Sequence, residues 1–279
     1  MDNTIESFCC IYNMDKTDVF SDPKIEYRWI CYKHLEYIRC YEIPAIEMNK
    51  TLEAVLIEYR CFPHVEFTIR NTINKLGVDW SYTVVCGNLN YDFMLSLCLK
   101  ISDKIKVIKT DYDNLNQSSY SKFIASIEFW DLFIGEKILI YQEDSCIFKK
   151  NIADFLEWDY IGAPWIKSYN KNGVGNGGLS LRTKQCMKDV IKTISIEDTI
   201  YNESILNNMI ISNMYILPED VYFTLNMLIY DIGRLADWDT ASEFSSEYIY
   251  NPNSLGGHAF WLGNNNWKDL LYIDDELQL

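Results

Sequence analysis

Between residues 52 and 141 short apolar runs alternate with segments of helical spacing, and no other feature of the chain restricts its fold so tightly. Residues 54–59, Ala-Val-Leu-Ile-Glu-Tyr, form the kind of run shown by a strand buried on both faces of a parallel sheet. Residues 62–76 then set Val65, Ile69, Ile73 and Leu76 at helical spacing and stop at Gly77. The same reading predicts a strand at 80–86, a helix at 91–100, a strand at 105–108, a helix at 118–133 and a strand at 137–141. Four alternations predict an α/β fold with a doubly wound, largely parallel sheet flanked by helices. Such sheets collect ligands at the carboxyl ends of their strands. Glu58 to Arg60 and Gln142 to Asp144 both follow strands directly, so one shared crevice is expected there. The second half is less regular, with a strand at 179–182, helices at 184–194 and 219–230, and a loop entering a strand at 256–262. Residues 1–50 are aromatic and cysteine-rich without a clear period. They are read as an N-terminal extension packed on a main domain spanning 51–279.

Charge narrows the partners. With 25 Lys and Arg against 40 Asp and Glu, the net charge of −15 argues against nucleic acid, whose binding depends on phosphate neutralisation. A phosphate-bearing substrate would need a local remedy: a divalent cation, backbone N–H groups or a few placed arginines. Nine scattered cysteines without a C-x-x-C pair read as reduced, mostly buried thiols. The first residues show no basic and apolar leader, and the most apolar stretch, 123–141, is broken by Glu128, Asp131, Glu136 and Lys137. A cytoplasmic protein without a membrane span is expected.

Several strings carry candidate chemistry. Gln142-Glu143-Asp144-Ser145 follows a strand, where a carboxylate can point out of the sheet and hold a hard cation such as Mn²⁺ or Mg²⁺. Gly173-Val-Gly-Asn-Gly-Gly178 has the spacing G-x-G-x-x-G but follows the polar stretch 167–172 and runs into Leu179-Ser-Leu-Arg, so it is no dinucleotide fingerprint. It is read as a backbone stripped of side chains to approach a ligand closely. Glu219 and Asp220 open a helix, where acids suit the dipole and where one could act as a general base. His258, one of three histidines, sits in Gly257-His-Ala-Phe-Trp261 and could join Asp144 as a metal ligand. Trp165 and Trp261 could stack on a sugar or base.

The succession Gln-x-Asp-Ser, Asp159-Tyr-Ile-Gly-Ala-Pro-Trp165, Gly-Asn-Gly-Gly-Leu-Ser-Leu-Arg182, Glu-Asp-Val-Tyr222 and Gly-x-His-x-Phe-Trp261 resembles an uncharacterised, domain-of-unknown-function family related to GT-A glycosyltransferases. That family is found in bacteria, fungi and giant viruses, and the similarity spans about residues 53–262. The resemblance implies a GT-A-like, mixed but mostly parallel sheet and transfer from a nucleotide-sugar donor, a UDP-sugar, to a glycan, protein or other hydroxyl acceptor. It implies Asp144 and His258 as ligands of a divalent cation and Asp220, or its neighbour Glu219, as the base. Glu58 and Arg60 would face the nucleotide, Asn176, Gly177 and Gly178 would line the sugar pocket, and Gln142 would be among the substrate-binding residues. The string departs from the usual Asp-x-Asp, because Ser145 and Cys146 follow where a second acid would stand. A silent sugar-binding module of the same fold and a nucleotidyltransferase are the alternative expectations.

Overall fold

The computed structural model describes residues 4–166, 169–211 and 213–272; residues 167–168 of the polar stretch lie outside them. Four helices come first: α1 (Ile5–Tyr12), α2 (Lys16–Val19), α3 (Pro23–Lys33) and α4 (Leu35–Arg39). The alternation follows as β1 (Leu52–Ile57), α5 (Val65–Leu76), β2 (Ser81–Cys86), α6 (Tyr91–Ile101), β3 (Lys106–Lys109), α7 (Gln117–Ile124), α8 (Ile127–Asp131) and β4 (Lys137–Tyr141). Then come β5 (Ser145–Ile147), β6 (Tyr160–Pro164), β7 (Val174–Thr183), α9 (Lys184–Thr193), α10 (Glu203–Ile211), α11 (Glu219–Tyr230), α12 (Trp238–Phe244), β8 (Ser245–Ser246) and β9 (Gly256–His258).

Six strands form the main sheet in the order β3-β2-β1-β4-β7-β6. The first four are parallel, while β7 runs antiparallel to both β4 and β6. The result is a mixed, mostly parallel sheet flanked by helices. Central β1 registers Ala54 against Tyr82 on one side and Leu139 on the other, and its apolar run is buried, as strands covered on both faces require. Helix α5 ends at Gly77, whose φ of 80° suits a residue without Cβ. The single helix expected over 118–133 is two. Ser126 leaves the helical region and its hydroxyl accepts the Phe129 N–H, which caps a new helix.

A second, three-stranded sheet in the order β5-β9-β8 decides where the site forms. The chain leaves β4, turns through Gln142 to Asp144 and enters β5 at once, and Ser145 pairs with His258 across the antiparallel β5–β9 ladder. The Ala259 N–H donates to the Asp144 carbonyl at 3.0 Å. Ser145, just past a strand end, and a residue 113 positions later are thereby fixed side by side.

The N-terminal helices are built into this corner. Phe8, Tyr27, Cys31, Tyr32, Leu35 and Ile38 share an apolar cluster with Phe148, Phe260, Trp267, Leu270 and Leu271, separate from the core around the main sheet. Tyr27 packs edge-on to Phe260 with ring centroids 5.4 Å apart, and its hydroxyl donates to the Ser145 carbonyl at 2.9 Å. No helix among the described residues is long and apolar enough to cross a membrane.

Candidate active site

Three adjoining cavities line the crevice above the carboxyl ends of the sheet. The first, about 340 Å³, is bounded by Glu58, Arg60, Tyr120 and Gln142. The second, about 200 Å³, shares Gln117, Tyr120 and Gln142 with it and adds Asn176, Gly177, Gly178, Glu219, Asp220 and His258. The third, about 380 Å³, shares Asn176 and Asp220 and is walled by Trp165, Tyr169, Met209, Met214, Glu247 and Tyr248. Residues from both halves of the chain therefore meet in one hollow. Eleven of the twelve residues singled out from the sequence either line it or, for Asp144, touch a residue that does. Trp261 is the exception: it packs against Tyr27, Phe260 and Trp267 and lines none of the three cavities.

The acid pair at the end of β4 is buried and held by cations. Glu143 accepts from Arg28 at 2.5 and 3.2 Å, from Arg60 at 3.3 Å and lies 2.8 Å from His64 Nε2. Burial would raise its pKa, but His64 and Arg28 outweigh burial and bring it down to about 2. Asp144 receives the Lys24 ammonium on Oδ2 at 2.6 Å and faces His258 Nε2 from Oδ1 at 3.4 Å. His258 and Lys24 hold this carboxyl well below the usual range despite the opposing effect of burial. The His258 imidazole, which burial alone would make less basic, is pushed up to about 10 by Asp144 and Glu247. Glu58 is taken up by its own strand end, accepting from the Tyr59 and Arg60 N–H groups and, bidentately, from the Arg60 guanidinium at 2.7 and 2.8 Å.

The pair at the start of α11 is arranged differently. Glu219 forms a two-pronged, buried pair with Arg182, whose guanidinium lies over the Tyr160 ring at 4.6 Å. Asp220 is half-buried beside it, accepting the Gly177 N–H at 3.1 Å and the Val221 N–H at 2.8 Å. Burial and the negative charge of Glu219 raise its pKa to about 7, against the lowering effect of Val221, Arg182 and Gly177. Geometry thus separates the two candidate bases. Glu219 anchors Arg182, and Asp220 faces the cavity with an affinity for protons suited to neutral pH.

The glycine string has a different reason from the one its composition suggests. It forms β7, and a Cβ on Gly178 would lie 2.2 Å from the His258 ring, while one on Gly177 would lie 2.4 Å from Glu219 Oε1. These glycines make room for His258 and Glu219 rather than for a ligand alone. Gly175, at φ 130°, meets Thr224 in the same way.

A divalent cation fits the residues present poorly. Asp144 and His258 adjoin, but the second carboxylate oxygen is occupied by Lys24. Glu247 approaches the opposite ring nitrogen, Nδ1, at 3.4 Å, so it cannot join the other two around one ion at Nε2. Among the described residues no three His, Cys, Asp or Glu side chains come together to hold a metal. The cationic side chains Lys24 and Arg28 escaped notice in the sequence, because nothing in the N-terminal segment announces that α3 reaches the end of β4.

Residues 103–258, more than half of the chain, match the family described as "Protein of unknown function (DUF5672)", and the chain belongs to that family. The match runs from just before β3 to His258 and leaves out α1 to α6, β1 and β2. No curated protein matches the sequence. Among solved structures the chain is similar to the apo glycosyltransferase GlyE of Streptococcus pneumoniae TIGR4, with 11% identity over 75% of this chain and 54% of that one at a TM-score of 0.45. It thus spans about half the length of GlyE. It is also similar to the inositol-1-phosphate CTP transferase of T. maritima, with 10% identity over 84% of this chain and 100% of that one at a TM-score of 0.46. A third likeness is the mannosyltransferase PcManGT of Pyrobaculum calidifontis, solved with GDP-Man and Mn²⁺, with 10% identity, 60% and 54% coverage and a TM-score of 0.38.

Proposed function

We propose that this protein is a glycosyltransferase that moves a sugar from a nucleotide-sugar donor, a UDP-sugar, to an acceptor hydroxyl on a glycan, protein or other molecule, with inversion. The observation that carries this reading is the continuity of the crevice. A polar cavity at the end of β1 opens into a second holding a glycine backbone, His258 and Asp220, and then into an aromatic-walled third. In this reading the nucleotide lies against Glu58, Arg60, Tyr120 and Gln142, and the donor sugar over Asn176, Gly177 and Gly178. The acceptor enters past Trp165 and Tyr169.

Asp220 then removes the proton from the attacking hydroxyl. Its Oδ2 is oriented by the Gly177 N–H and its proton affinity lies near neutrality, so it is ionised often enough to act and basic enough to be effective. A single base opposite the leaving group supports an inverting displacement. Negative charge developing on the departing diphosphate is met by the protonated His258 imidazole and by Arg60, preorganised in a partly dry site.

The test is a screen of nucleotide sugars for donor hydrolysis and transfer, run on the wild-type chain and on Asp220→Asn. Turnover of one donor, reduced about 10²–10⁴-fold by the substitution, is the expected result. Full activity in a folded Asp220→Asn variant removes the base from this assignment. Nucleotide binding without hydrolysis or transfer would instead mark a silent binding module.

A further inference from the structure

We propose that Lys24, delivered by helix α3, is a built-in cation that stands where a divalent metal would be expected and binds the diphosphate of the nucleotide together with Arg60. This rests on the nucleotide-sugar reading of the crevice and adds to it a charge source from the N-terminal helices.

The observations converge on one spot. The strand ends of β1 and β4 carry three carboxylates, Glu58, Glu143 and Asp144, which in an acidic chain would repel a diphosphate. Three cations answer them: Arg60 from the β1 end, and Lys24 and Arg28 from α3. Two of the three therefore come from the N-terminal helices, and without them the three carboxylates would be left with Arg60 and the neighbouring His258 and His64. Coulombic repulsion at that distance, in a partly buried site, would be large enough to decide binding.

The three cations are not equivalent. Arg28 has only 10% of its side chain exposed and is pinned to Glu143. Lys24 and Arg60 keep 35% and 44% of their side chains exposed, and both reach Glu143, at 3.5 and 3.3 Å. An ammonium on a flexible stem can turn from Asp144 to a phosphate oxygen without leaving its neighbourhood. Arg60 lines the first cavity, and His258, the other partner of Asp144, lines the second. Lys24 thus shares Glu143 with Arg60 and Asp144 with His258, the two groups that border the nucleotide's path.

Its position is fixed independently of the ligand. Asp22 caps α3 by accepting the Lys24 N–H at 2.8 Å, Pro23 starts the helix, and Tyr27 one turn on is buried against Phe260, Trp261 and Trp267. Trp261, which the sequence offered as a stacking platform, serves on this account to hold α3 and hence Lys24.

The experiment measures binding of UDP and GDP by calorimetry, in EDTA and in Mn²⁺, to the full chain and to Lys24→Met and Lys24→Arg, with uridine and guanosine as phosphate-free controls. The wild type should bind its preferred nucleoside diphosphate within about 2-fold equally in EDTA and Mn²⁺. Lys24→Met should lose at least about 10-fold in EDTA and leave nucleoside binding unchanged. Lys24→Arg, which keeps the charge and the fold, should stay within about 3-fold of the wild type. A wild type that binds only with Mn²⁺, or a Lys24→Met variant that binds as well or better in EDTA, overturns the proposal while the crevice reading stands. Failure of the wild type to bind any nucleoside or nucleotide overturns both.

Discussion

The chain uses the dipeptide Glu-Asp twice in its crevice, at the end of β4 and at the start of α11, and gives the two copies opposite electrostatics. At Glu143-Asp144 both carboxylates are matched by cations gathered from α3, the β1 end and His258, with His64 bonded to Glu143, and both stay ionised. At Glu219-Asp220 one arginine, Arg182, is committed to Glu219, and Asp220 keeps only backbone donors and a repelling neighbour. Identical side chains therefore become a fixed anionic floor in one place and a proton acceptor in the other. What separates them is the number of cations within reach, which depends on tertiary structure and not on the dipeptide.

That contrast can be broken most forcefully at Glu219. Glu219→Ala leaves Arg182 buried without its partner, and should cost about 3–5 kcal/mol in chemical denaturation, lowering Tm by on the order of 10 °C. A loss below about 1 kcal/mol would mean that the pair does not organise the base of α11. Glu143→Gln should be the next most damaging, about 3 kcal/mol, because Arg28 and His64 then face an amide in a buried site. If its denaturation midpoint matched the wild type, the floor would not be electrostatic.

Gly178→Ala probes the strand that meets His258, the partner of Asp144, and through Gly177 the second acid pair. Its Cβ would strike the His258 ring, so a destabilisation of about 1–3 kcal/mol is expected, with weakened donor binding. Unaltered stability and binding would show that the ring moves aside freely.

The smallest effect has the opposite sign. Folded Asp220 holds its proton more tightly than the unfolded chain does, so its own contribution to stability is fully present below about pH 4 and is lost as pH rises toward 7. Asp220→Asn removes that penalty. Allowing for screening at a half-buried group, the variant should be more stable by about 1–2 kcal/mol at pH 8 and nearly equal to the wild type at pH 4.5. A variant destabilised at pH 8 would contradict the raised proton affinity.

Most of the fold was legible in the sequence. The strands at β1, β2, β3 and β4 and the helices α5, α6, α9 and α11 fall within a few residues of the apolar periods that announced them, since each covers one face of a single buried sheet. The break between α7 and α8 had a local signal, Ser126, which the continuous apolar spacing overrode. Residues 5–39 gave no period because their apolar positions pack against a curved aromatic cluster built from distant segments, not against a flat sheet. The site was half legible. Asp144, Asp220, His258 and the glycines stood out by residue type, whereas Lys24 and Arg28 are ordinary helical cations whose meaning comes from a contact across more than 110 positions.

The difference between the two acid pairs can be read directly by following carboxyl-carbon chemical shifts from pH 2 to 9, with Glu143→Gln and Asp220→Asn used to assign the signals. The Asp220 signal should turn over near pH 7 and that of Glu143 near pH 2. An Asp220 midpoint close to 4, the value of an ordinary aspartate, would contradict the assignment of this residue as the base.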